Sequence, residues 1–176
     1  MKPIALFSVQ FTLSLAVYAV MAFFYVAPRL SRQPRQTALQ PLVWVHSFRV
    51  VGGTILAPGA VGAGVPLIFQ RMIGFGDMAT ALLALVAAIA LRAGSRGAIP
   101  LVWAFLVVGL GDTVNAIIES LRYNVFVHSL GVNWVIVTIY VPALLVSSYL
   151  ILLQLLRPDQ PRTPLRTAPL AAIPGA

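Results

Sequence analysis

The chain has 176 residues, of which 60% are hydrophobic and only 9% charged. A soluble domain of this length carries roughly a quarter charged residues, so the composition belongs to an integral membrane protein. The absence of cysteine excludes disulfides, thiolate metal sites and a cysteine nucleophile. The net charge of +8 gathers in arginines at the ends of apolar runs, where it reports topology rather than nucleic-acid binding.

A membrane helix needs about 20 mainly apolar residues. The first such run covers 4–28, "IALFSVQFTLSLAVYAVMAFFYVAP". It is too long for a signal-peptide core and has no clear A-x-A site after it, so it is expected to stay as a span. The second covers 42–58 and ends in "GAVGAGVP", whose Gly and Pro mark a loop or a broken helix end. The third covers 73–91. Asp77 sits in its first turn, where a carboxylate complements the helix dipole, with Gly74 and Gly76 in the turn before it. The fourth covers 98–121 and the fifth 132–156, with Pro142 expected to kink the fifth. Residues 158–176 are Pro-rich, basic and without periodicity, and read as a disordered tail. The expected fold is one all-α domain over 1–157, a bundle of five transmembrane helices.

Arg29, Arg32, Arg35, Arg92, Arg96, Arg157, Arg162 and Arg166 fall on one side of these spans, and Lys2, Arg71 and Arg122 on the other. That excess places the N-terminus outside and the C-terminus in the cytoplasm of a multi-pass protein of the cell inner membrane.

Charged groups within spans cost on the order of 3 kcal/mol at the centre and are functional candidates by default. Asp112, Asn115 and Glu119 are spaced i, i+3, i+7 on the fourth helix, with Asp112 past the midplane. Glu119 lies at the outer edge within reach of Arg122, and Asp77 is also expected near the outside, about 10 Å from Asp112 in depth. His46 and Arg49 share a face of the second helix. Arg49 either snorkels to the cytoplasmic headgroups or pairs with Asp112. Two further polar stripes, Gln10, Ser14, Tyr18 and Tyr25 on the first helix and Asn133, Tyr140, Ser147 and Gln154 on the fifth, either glue helices or line a shared cavity.

The motif "GLGD" at 109–112, with "PAL" at 142–144 on the next helix, resembles intramembrane aspartyl proteases of the presenilin and signal-peptide-peptidase type. The resemblance implies that Asp112 and an aspartate on the preceding helix activate a water between them, with the PAL stretch lining the site. The family's Tyr-Asp pair is missing here. Gly76 precedes Asp77, the one candidate partner, and the family uses more spans. "HSFRVVG" opening the second helix and "GDMATALLAL" opening the third are similar to small bacterial polytopic membrane proteins of unknown function, which implies architecture alone.

Three functional classes follow. The first expectation is a non-enzymatic subunit in the lipid bilayer that assembles with itself or with a larger membrane complex. The second is a small transporter or binder whose polar node holds His46, Arg49, Asp112, Asn115, Tyr18 and Tyr140, with protonation of Asp112 as its coupling step. The third is the aspartyl protease. His46 and His128 lie towards opposite faces and cannot share a metal. No nucleotide loop, H-E-x-x-H or nucleophile elbow is present, so neither a cofactor nor a metal is expected, nor a nucleic-acid partner.

Overall fold

The computed structural model describes residues 2–158, which are helical with no strand among them. The tail expected at 158–176 lies, from 159 onward, outside the described residues. Five long helical segments follow one another, with a short 3₁₀ turn at Val125–Val127 before the last. They are α1 (Pro3–Leu30), α2 (35–56), α3 (Leu67–Arg92), α4 (Ala98–Arg122) and α5 (Asn133–Leu156). Four of them, α1, α3, α4 and α5, are long and apolar enough to cross a membrane. The other, α2, changes geometry part-way, from an α-helix at Arg35–Ser47 to a 3₁₀ helix at Phe48–Leu56.

Two prolines shape the first and last helices. Pro28 and Pro142 have no N–H to return to the carbonyl four residues earlier, and their rings crowd that carbonyl. Each helix answers with a π turn that ends two residues before the proline, Ala22–Val26 in α1 and Ile136–Tyr140 in α5. The disturbance expected at Pro142 therefore takes the form of a widened turn on its N-terminal side.

α3 is the centre of the bundle, packed on both α2 and α4. Its inner face is a run of small residues, with Ala81, Ala84, Ala87 and Ala88 all buried, so the neighbouring backbones approach closely. A short turn at 93–97, with Gly94 in the left-handed region (φ +62°), reverses the chain into α4. The larger apolar cluster joins these alanines to Leu39, Val43, Val102, Phe105 and Ile151 at the arginine-rich end. A smaller cluster of Ile55, Val65, Phe69, Val125, Phe126 and Leu130 fills the other end. There the loops 57–66 and 123–132 meet, Gly62 N–H donating to the Ser129 carbonyl at 2.7 Å.

α5 runs antiparallel along α2 and spends the first three residues of its seven-residue polar stripe on it. Asn133 accepts from the Thr54 hydroxyl at 3.2 Å, the Tyr140 hydroxyl donates to the Val45 carbonyl at 2.8 Å, and Ser147 donates to the Leu42 carbonyl at 3.3 Å. α1 lies outermost. Apart from Ala22 and Leu30 it has no buried residue, and Gln10 holds it to the rest by accepting from the Trp134 indole at 2.6 Å. At the arginine-rich end, Arg157 donates to the Ser31 carbonyl at 2.6 Å and Arg35 donates to the Arg157 carbonyl.

Because the α5 stripe acts on carbonyls of α2, removing one donor is expected to lower stability without altering the fold. Tyr140→Phe should cost about 1 kcal/mol, whereas Ile139→Val, on the exposed side of the same turn, should cost about half that or less. Thermal unfolding of both variants in the same mild detergent tests this.

Candidate functional site

The site begins with the change of helix type in α2. Residues 50–55, "VVGGTI", combine β-branched residues with two glycines and favour the α-helix poorly. A 3₁₀ helix repeats every three residues, so side chains at i and i+3 eclipse. Burial follows that change. Ala38, Leu39, Leu42, Val43 and His46 are buried at α-helical spacing, and then Arg49, Gly52 and Ile55 at steps of three. The inner face of the 3₁₀ stretch thus presents a guanidinium directly in register with a glycine.

Arg49 is 6% exposed and uses all three of its nitrogens inside the protein. Nε donates to Asp77 Oδ1 at 2.8 Å, and Nη2 lies 2.7 Å from the same oxygen. Nη2 also donates to Asp112 Oδ2 at 2.6 Å. Nη1 donates to the Gly109 carbonyl at 3.1 Å and to the Thr113 hydroxyl at 3.3 Å, and that hydroxyl donates in turn to the Gly109 carbonyl at 2.8 Å. One residue of α2 therefore binds α3 and α4 together through two ion pairs in an apolar setting. Breaking such a pair costs about 3–5 kcal/mol, since the surviving charge is left without a partner.

Two glycines make the node possible by close approach. A Cβ on Gly52 would occupy the place of the Asp77 carboxylate, and a Cβ on Gly76 that of the Asp112 carboxylate. These glycines belong to the helices themselves. Gly74 and Gly76 lie inside α3 and not in a turn before it, because α3 begins at Leu67.

That earlier start also corrects the depth of Asp77. It sits ten residues past Leu67, and Asp112 sits ten residues before Arg122. In two antiparallel helices these positions are level, roughly 15 Å in from the same end. Asp77 is therefore a member of the node and not an outer-edge charge. Arg49 is drawn inward to both aspartates and does not snorkel.

The remaining sequence candidates divide. Glu119 pairs with Arg122 at 3.4 Å on the rim. Asn115, expected in the node, is exposed on α4, because the inner stripe of that helix runs through Gly109, Thr113, Ala116 and Ser120 with Asp112 at its edge. Tyr18 is half-buried in α1, outside the hydrogen bonds of the node. Tyr140 binds the Val45 carbonyl, one turn before Arg49. His46 is fully buried edge-on to the Phe105 ring, centroids 4.9 Å apart, and neither ring nitrogen has a hydrogen-bond partner. Sequence reasoning overlooked Thr113 and the Gly109 carbonyl. The three-residue recurrence of His46, Arg49, Gly52 and Ile55 was the legible signal for the register.

The node borders a cavity of about 260 Å³. Its polar floor is Arg49, Asp77, Asp112 and Thr113, and it extends toward the loop-bearing end. Four phenylalanines line it, Phe7 and Phe11 from α1, Phe69 from α3 and Phe126 beyond α4. Leu144, from the PAL stretch, lines it too. The chemistry that a GxGD resemblance implies needs two carboxylates facing one water and sharing one proton. Here the Arg49 guanidinium stands between the two carboxylates and donates to both, an arrangement unlike the water-bridged dyad of that chemistry. Among the described residues no group of three or more His, Asp or Glu could hold a metal ion.

Residues 6–156 match the family model described as Domain of unknown function (DUF8737). The chain belongs to this family. The match runs from the first helix through the last, so the family's segment holds the whole node and every wall of the cavity. No curated protein and no solved structure matches the chain.

Gly76→Ala should drive the Asp112 carboxylate from its seat and destabilise the protein by about 1–3 kcal/mol. Gly111→Ala, in the same "GLGD" motif, meets nothing within 4 Å and should be neutral or stabilising by up to about 1 kcal/mol. Unfolding midpoints of the two variants in one detergent decide the matter, and equal losses would contradict the packing described.

Proposed function

We propose that this chain is a five-span protein of the bacterial inner membrane, N-terminus outside and C-terminus in the cytoplasm, that binds a small, mainly apolar molecule in the cavity beside Arg49, Asp77 and Asp112. The fifth span in this reading is α2. Its α-helical and 3₁₀ portions together are roughly 37 Å long, enough for a hydrocarbon core of about 30 Å. Arg29, Arg32, Arg35, Arg92, Arg96 and Arg157 lie at the end of the bundle away from the cavity, which supports a cavity in the outer half. Kinship with small bacterial polytopic proteins, carried by "HSFRVVG" and "GDMATALLAL", belongs to the same proposal.

The observation that carries the binding reading is that the two carboxylates border an apolar cavity instead of being sealed by packing. Their side chains stay 18% and 14% exposed while Arg49 is almost wholly enclosed. A node serving only as glue gains from complete closure, since each buried charge that keeps a contact to empty space forgoes a partner. The volume is slightly below the usual range for small-molecule sites, about 300–1,000 Å³, which argues for a compact occupant. The assembly reading is weaker, because Asn133, Tyr140 and Ser147 of the polar stripe of α5 are already spent on α2 within the same chain.

Native mass spectrometry of the protein extracted from its host in mild detergent is expected to reveal a co-purifying molecule of defined mass. Ala116→Phe, which fills the cavity from α4 one turn beyond Asp112, should reduce its occupancy by about tenfold or more. A protein that carries only a stoichiometric protein partner, with no small molecule in either form, would overturn binding in favour of assembly.

A further inference from the structure

Resting on that reading, we infer that the occupant of the cavity is a monovalent amphiphilic cation, an ammonium-type group carrying a compact apolar or aromatic body. Two carboxylates, Asp77 and Asp112, meet one guanidinium, Arg49, so with both ionised the node carries one negative charge beyond its internal pairing. In apolar surroundings that charge is relieved by a proton on one carboxylate or by a counter-charge, and one cation in the cavity takes the proton's place.

The opposite sign does not fit the floor. An anion would need donors, and those at the cavity floor are already engaged. All three nitrogens of Arg49 donate to Asp77, Asp112, Gly109 and Thr113, and the Thr113 hydroxyl donates to the Gly109 carbonyl. Asn133, higher in the wall, is held by Thr54 and by the Ala60 carbonyl. An anion entering here would meet carboxylates without gaining a guanidinium. The other charged pair of α4, Glu119 with Arg122, is internally balanced at the rim and does not change the count.

Phe7, Phe11, Phe69 and Phe126 line the same space, and aromatic walls suit the apolar body of an organic cation while attracting its desolvated charge. A small hydrated metal ion would leave these rings idle and would require more oxygen ligands than two carboxylates already shared with an arginine can give. An organic cation uses both features, its charge at the Asp77–Asp112 floor and its body against the rings.

The test uses the full-length protein in mild detergent and three probes of matched shape. These are benzyltrimethylammonium, its neutral carbon isostere neopentylbenzene, and phenylmethanesulfonate as the anion, with binding measured by calorimetry. The cation is expected to bind about tenfold or more tighter than the neutral isostere, and the anion not at all. In Asp112→Asn the floor becomes neutral, and the cation-to-neutral affinity ratio should fall to about one. Should that variant fail to fold, Ser120→Lys places a positive charge in the cavity wall away from the node and should abolish the preference for the cation. Equal binding of cation and neutral isostere, both lost in Ala116→Phe, would overturn the charge assignment and leave the cavity as a site. Preference for the anion would overturn it as well. Binding of none of the three would overturn both the assignment and the binding role beneath it.

Discussion

A single guanidinium inside an apolar bundle sets the terms for everything near it. Arg49 cannot be left without acceptors there, and meeting its needs takes a carboxylate from each of two other helices, a backbone carbonyl and a hydroxyl. Those acceptors can converge only if the helices come close, which is why glycines stand at 52 and 76 and alanines line the inner face of α3. The 3₁₀ stretch of α2 answers the same demand, since its three-residue repeat sets Gly52 in line with Arg49 and opens the way for Asp77. Helix type, residue size and charge placement are thus three aspects of one constraint.

The node also divides the interior into two unlike parts. Toward the arginine-rich end the core is closely packed around alanines, with Phe105 and His46 meeting edge to face. Toward the other end, larger side chains from the loops and from α1 meet across a wider space, and the cavity lies there. A membrane protein gains little from sealing apolar surface away from lipid, because lipid is itself apolar. Polar contacts such as those between α5 and α2 therefore fix the arrangement, and regions without them are free to be loosely filled.

Much of this was legible in the sequence. The apolar runs located α1, α4 and α5 to within two residues at either end, whereas α2 begins seven residues and α3 six residues earlier than expected. The strict seven-residue spacing of Asn133, Tyr140 and Ser147 marked the face of α5 that meets α2. Asp77 was misjudged because Gln70 and Arg71 look like loop residues, although both belong to the first turns of α3, where Gln70 donates to the Val65 carbonyl. A six-residue error in that start moved Asp77 by roughly 9 Å in depth. Asn115 was misjudged for an angular reason. Its spacing from Asp112 suggested a shared stripe, but Asp112 is at the margin of the inner face and three residues further carry the chain around to the exposed side. Two helices must be placed before the edge of a stripe can be told from its centre.

The two π turns have a mechanical consequence. A π turn loosens the regular hydrogen-bond ladder over a few residues, so a helix bends there more readily than elsewhere. In α1 that turn lies at Ala22–Val26, while Phe7 and Phe11 stand on the cavity wall fifteen and eleven residues earlier. The intervening segment is a stiff lever about 20 Å long. A bend of roughly 10° at its base carries the Phe7 end by about 4 Å, close to the width of a methylene chain. α2, α3 and α4 are bolted together by Arg49 and stay as they are. The two helices that carry π turns, α1 and α5, are thus the more pliable walls of the cavity, joined to each other by the Gln10–Trp134 hydrogen bond.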